Sequence, residues 1–222
     1  MKGDSGLVSV QSGPGVSHSG DVTVGSGLSS GPSGLVAISS GNSADGKSGA
    51  ISLQVGTSGA SNGSDITITA GDSLAVGTSL VGGSLILSSG VAIEGSSGNV
   101  TVKSQNADQD GGSLSFSAGS SKLRGKGGDI IVTSGEGILD GGDLKLGAGG
   151  SSTAKGGKVA ISSGASKLAS GEISIMSGAS KTSSGNVTLS SGDGRSSGSV
   201  VIKSGESPRS NAGDILLIGG GG

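Results

Sequence analysis

Residues 41–48 read GNSADGKS and follow the apolar run LVAIS, matching the phosphate-binding spacing G-x-x-x-x-G-K-[ST] at every required position. In that chemistry a strand enters a glycine turn whose amides point at phosphate, a lysine neutralises charge, and a following helix N-terminus holds the anion. Here Lys47 and Ser48 lead within three residues into Ile51-Ser52-Leu53, an alternating apolar segment that leaves no room for the helix. The stretch is therefore expected to punctuate the chain rather than bind nucleotide. The nucleophile pattern G-x-S-x-G occurs at 27–31 and 194–198, and again at 59–63, as often as the Gly and Ser content alone would produce it. A hydroxyl nucleophile also needs a base, and the one imidazole, His18 in PGVSHSG, reads as a solvated loop residue. Asp108 with Asp110, and Asp140 with Asp143, form carboxylate pairs, but the nine-residue period of calcium-binding glycine rolls is absent. Asp21, Asp65, Asp129, Asp143 and Asp214 each precede an alternating segment, where a short carboxylate is expected to accept backbone amides of a turn. The residues thus predict no catalytic group, no cofactor and no metal ligand. Sequons at Asn62, Asn99 and Asn186 are open to glycosylation if the chain is secreted.

The elements that position these residues must be built without bulky packing. The 222 residues include 50 Gly, a single Phe, and no Trp, Tyr or Cys, which excludes an aromatic core, a disulfide framework and a thiolate metal site. A net charge of -2 offers no basic field for nucleic acid or anionic lipid. No apolar stretch approaches the roughly 20 residues of a membrane-spanning helix, and MKGDSGLVSV lacks the apolar centre of a signal peptide. Neither a nucleic acid partner nor membrane insertion is expected. Apolar residues nevertheless make up 31% of the chain at regular intervals, which argues for repeats over disorder.

The unit is Gly, a small or polar residue, apolar-x-apolar, then a small residue and usually Gly, as in GGDIIVTSG, GGKVAISSG and GNVTLSSG. Fifteen copies can be placed, with first apolar residues at Val8, Val22, Val36, Ile51, Ile66, Leu85, Val100, Leu114, Ile130, Leu144, Val159, Ile173, Val187, Val200 and Ile215. Successive intervals run from 13 to 16 residues except for one of 19 between Ile66 and Leu85, where DSLAVGTSLVGG suggests a bulged loop. Alternation within each unit is period two, hence strand, and glycine clusters on both sides suggest two corners that need positive φ. The expectation is an all-β fold: a parallel β-solenoid of about fifteen coils, 14–15 residues per coil, two-sided and thin, in a single domain over 1–222 with frayed ends at 1–6 and 219–222. A coil of two units stays open as an alternative, as does the handedness. A solenoid closes its own core, which an antiparallel meander of these segments cannot do.

The units GNVTLSSG and GGDIIVTSG resemble the Gly-flanked strands of β-helical surface proteins such as filamentous-haemagglutinin-type adhesins. They are also similar to Gly/Ser-rich tandem repeats in large proteins of algae and oomycetes. The resemblance implies a structural role at the cell surface or outside the cell, and supplies no catalytic residues. The coil size is similar to that of solenoid ice-binding proteins.

Two functions follow as expectations. Uncapped strand edges at both ends suggest a non-catalytic rod, part of a longer extracellular filament or adhesin-like array, whose partner is itself, end to end. The alternative is ice binding by the outward column at the strand centres, where Ser9, Thr23, Ala37, Ser52, Thr67, Thr101, Ser115, Ala160, Ser174 and Thr188 make a weakly polar strip. The columns beside it are irregular, including Gln54, Lys103 and Met176 on one side and Asp65, Lys158 and Glu172 on the other.

Overall fold

The computed structural model describes residue 3 and residues 5–75, 77, 80–123 and 125–220. Among them there is no strand, sheet or helix, so the β-solenoid and the parallel β-helix expected from the alternation are not formed. The chain is largely coil, with extended apolar segments that pair with nothing along their length. The reason lies in the balance within each repeat. Ordering costs roughly 1–2 kcal/mol of backbone entropy per residue, and glycine adds to it, whereas each unit supplies two or three apolar side chains over about fifteen residues.

The surface makes the same point quantitatively. The chain exposes 22752 Å² at 20.5 kDa, against about 8,900 Å² for a folded globular protein of that mass and about 29,700 Å² for an unfolded one. Roughly a quarter of the unfolded surface is covered, where a globular fold covers about 70%. No hydrophobic residue among those described is buried.

What order exists is phased with the repeat. Every loop between consecutive extended segments carries a bend, from residues 16–17 in the first to 208–210 in the last. Seven loops are pinched at the base by a backbone hydrogen bond. The amides of Gly83, Gly98, Gly128, Gly142 and Gly157 donate to the carbonyls of Gly71, Gly90, Gly119, Gly135 and Gly149 at 2.8–2.9 Å. Those of Gly112 and Gly171 reach Gln105 and Gly164 at 3.4 Å. In each case the donor stands two residues before the first apolar residue of its unit, and the acceptor five residues after that of the preceding unit.

Beside this bond lies a second contact, tight at some glycines and ordinary at others. The chain divides into two units, Met1–Leu114 and Ser115–Gly222. Within the first, a Cβ built at Gly20, Gly34, Gly49, Gly83, Gly98 or Gly112 would lie 3.1–3.7 Å from the Cβ of Ser12, Ser26, Ser40, Ala70, Ser89 or Ser104 respectively. Within the second, the positions are Gly128, Gly142, Gly157, Gly171, Gly185 and Gly198, against Ala118, Ser134, Ala148, Ser163, Ser177 and Ser191 at 3.2–4.0 Å. The glycine thus sits where the returning chain crosses close to a small side chain. We call this crossing the neck of the repeat. Among the described residues no glycine has positive φ, so the left-handed corner inferred from the sequence is not used; at Gly83, Gly112, Gly128 and Gly157, where a built Cβ comes within 3.1–3.3 Å of a neighbour, close approach is what favours glycine.

In an extended segment alternate residues share a side, so the neck glycine, the two apolar residues and the Ser or Ala beyond them fall on one face. Exposure follows that order. The first apolar residue of every unit from Val22 onward is only 46–60% exposed, while apolar residues at loop tips, Leu28, Ile138 and Leu168 among them, are essentially fully exposed. Val8, in the first unit, is 86% exposed. Six of the seven described residues that are half-buried occupy the small position itself: Ser12, Ser40, Val55, Ala70, Ser177 and Ser204.

One loop departs from the rule on both sides at once. Between Ile51 and Ile66 the small position is Val55 and the glycine position is Ser64. No backbone hydrogen bond closes that loop, nor the loop between Val200 and Ile215, which keeps Ser204 and Gly213 but has nothing within 4 Å of the Gly213 Cβ position. The bulged loop expected between Ile66 and Leu85 is pinched at Gly71 and Gly83, although Val76, Thr78 and Ser79 within it lie outside the described residues. The ends expected to fray likewise fall partly outside them, at 1, 2, 4, 221 and 222.

Candidate functional site

The phosphate-like stretch is one of these loops. Ser40 and Gly49 form its neck, with 3.6 Å between the Ser40 Cβ and a Cβ built at Gly49, and residues 44–46 make its bend. Lys47 and Ser48 are exposed on the returning limb, which continues as extended chain without a helix. Ser43 Oγ lies 3.4 Å from the Cβ position of Gly46 within the same bend. The segment therefore has neither the amide nest nor the helix dipole that its pattern would require.

The serines of the loops act as turn formers. Ser29, the central serine of the pattern at 27–31, accepts the Gly31 amide at 3.1 Å. Ser151 Oγ accepts from Thr153 and Ala154 at 3.4 and 2.9 Å, Ser166 Oγ from Leu168 at 3.2 Å, and Ser180 Oγ from Thr182 and Ser183, both at 3.3 Å. A hydroxyl engaged with an amide two or three residues on shapes its turn. The second pattern, at 194–198, holds a bend over 194–196. His18 is exposed just beyond the bend at 16–17, where its carbonyl occupies the Cβ position of Gly15. No hydrogen bond joins its imidazole to a hydroxyl among the described residues.

The carboxylates behave differently from the expectation. Asp129 accepts from Lys126 Nζ at 2.9 Å and Asp143 from Lys145 Nζ at 2.7 Å, all four side chains well exposed. Both were expected to hold turn amides, and an ammonium within three residues competes successfully because its bond is charge-assisted. Exposed pairs of this kind contribute little to stability. Asp108 and Asp110 belong to a bend at 108–110, and among the described residues no three His, Cys, Asp or Glu side chains converge on a point. The described residues form no cavity, and no helix among them is long and apolar enough to cross a membrane.

The strip proposed for ice is exposed at each of its ten positions. Ser9, Thr23, Ala37, Ser52, Thr67 and Thr101 lie in the first unit, and Ser115, Ala160, Ser174 and Thr188 in the second. Each stands between the two apolar residues of an extended segment, and no ladder hydrogen bonds tie one segment to the next. The positions that sequence reasoning missed are the small residues at the necks. Their signal was present in the sequence: four residues after the first apolar position stands Ser or Ala in thirteen of fifteen units, with Val55 and Gly219 the departures.

No family model, no curated protein and no solved structure matches the chain.

Proposed function

We propose that the chain is a non-catalytic structural or surface protein, a series of repeats that works by associating with further copies of itself as part of an extracellular filament. The observation that supports this reading is the apolar face left open in every repeat. The pairs Val22/Val24, Ile130/Val132 and Val200/Ile202 are typical, each side chain about half exposed or more. Surface of this kind, repeated along one chain, is characteristic of proteins that bury it against a partner. The uncovered surface far exceeds what one interface needs, since about 1,600 Å² suffices for a stable complex. Light scattering across a concentration series tests the proposal. Mass should grow with concentration, and a strict monomer at the highest concentration overturns it. The ice-binding alternative needs regular columns held at fixed spacing, and a freezing-point measurement separates the two, because thermal hysteresis belongs to that alternative alone.

A further inference from the structure

The loop between Ile51 and Ile66 holds a chemical feature that no other loop shares. Residues 58–64 read SGASNGS, and Asn62-Gly63 is the one Asn-Gly pair among six asparagines. The others precede Ser43, Val100, Ala107, Val187 and Ala212. We propose that Asn62 is a site of spontaneous backbone modification, converting through a cyclic imide to aspartate and isoaspartate.

The reaction needs the amide nitrogen of the following residue to reach the asparagine carboxamide. Gly63 N forms a bond to Asn62 Cγ, the Cγ–Nδ2 bond breaks, and ammonia leaves with the proton the amide gave up. Water then opens the five-membered imide at either carbonyl, giving an aspartyl or an isoaspartyl link. Overall, one water is consumed and one ammonia released.

Four observations place this chemistry at Asn62. The Gly63 amide donates to no acceptor among the described residues, so the nucleophile is not already engaged. Nothing lies within 4 Å of the Gly63 Cβ position, so the backbone has room to turn into the attacking geometry, which glycine permits more readily than any other residue. Asn62 itself is exposed to the water that completes the reaction. Ser61 Oγ donates to the Asn62 backbone carbonyl at 3.4 Å and pairs with Ser58 Oγ at 2.9 Å, which places a hydroxyl on the peptide group whose nitrogen attacks. Asn99 and Asn186 stand in contrast, each between a neck glycine, Gly98 or Gly185, and a β-branched valine whose stiffness hinders the same turn. The product adds one negative charge close to Asp65, taking the formal net charge from -2 to about -3.

The test uses the purified full chain, kept warm at mildly alkaline pH and followed by peptide mass mapping with isoaspartate detection. The expected result is a gain of about one dalton on the peptide containing Asn62, with at least tenfold slower change at the other five asparagines, and a rate that falls on acidification. Gly63→Val should slow conversion at 62 by about tenfold or more. Asn99 and Asn186 in the same sample then serve as internal references for any general loosening of the chain. An unchanged mass at 62, equal rates at all six asparagines, or a Gly63→Val rate equal to that of the parent would overturn the proposal.

Discussion

Alanine at Gly157 and alanine at Gly150 lie in the same loop and should shift its closure in opposite directions. At Gly157 the amide donates to the Gly149 carbonyl at 2.8 Å. A Cβ there would meet the Ala148 Cβ at 3.2 Å and both N and O of Gly149 at 3.4 Å, so the crossing must open by a few tenths of an ångström. Two of these contacts are rigid backbone, and the third is a side chain with no rotamer to change. The neck bond is the element that gives way. A net hydrogen bond is worth about 0.5–1.5 kcal/mol, which corresponds to about a two- to twelvefold change in the fraction of time the neck is closed. At Gly150 nothing lies within 4 Å and φ is not positive, so alanine fits and only restricts the open chain, a gain of about 0.4–1 kcal/mol. That restriction acts in both variants, and their ratio therefore isolates the contact. Amide hydrogen exchange at residue 157, followed by NMR, reads the closed fraction directly. Protection in Gly150→Ala should exceed that in Gly157→Ala by about two- to twelvefold. Equal protection in the two variants would refute the argument that the neck requires glycine.

The crossing absent between Ile51 and Ile66 should be restorable: Val55→Ser together with Ser64→Gly should bring residues 55 and 64 close enough for a nuclear Overhauser contact in NMR, whereas either change alone should not. Ile130→Ser with Val132→Ser should lower the association seen by light scattering, each serine removing about 1.5–3 kcal/mol of potential burial, while a pair at a loop bend, Ser152→Ala with Thr153→Ala, should leave it unchanged. Titration with a fluorescent adenine nucleotide should give no saturable signal, and Lys47→Ala should change nothing in that assay. Asp129→Asn and Asp143→Asn should leave hydrogen exchange at the Gly128 and Gly142 amides unaltered within error in low and high salt, because both ion pairs are solvated.

Much of the local plan was legible in the sequence, and the pairing was not. The spacing of Val22, Val36, Ile51 and their successors locates every extended segment and every loop, because period-two alternation and glycine punctuation are properties of consecutive residues. That GNSADGKS is punctuation was legible for the same reason: Lys47 and Ser48 run into the next apolar segment, with no residues left for a helix. Asp129 and Asp143 were assigned to turn amides although Lys126 and Lys145, three and two residues away, were already in the sequence as competing donors. The corners were misread in a similar way. Glycine was credited with positive φ, which a sequence can suggest, whereas its use here is the close crossing of two limbs seven to thirteen residues apart.

By itself, then, the amino-acid sequence determined the repeat, its length, the alternating apolar face and the absence of aromatic or disulfide packing, since each depends only on which residues follow one another. Whether those faces would find partners depended on the tertiary structure. Alternation makes a segment competent for a sheet, but a sheet forms only when burial and ladder bonds between segments offset the entropy of ordering the glycine-rich loops between them. In this chain twelve of the fourteen loops close on themselves at the necks, Ser or Ala against Gly, and the apolar faces between them stay open to solvent.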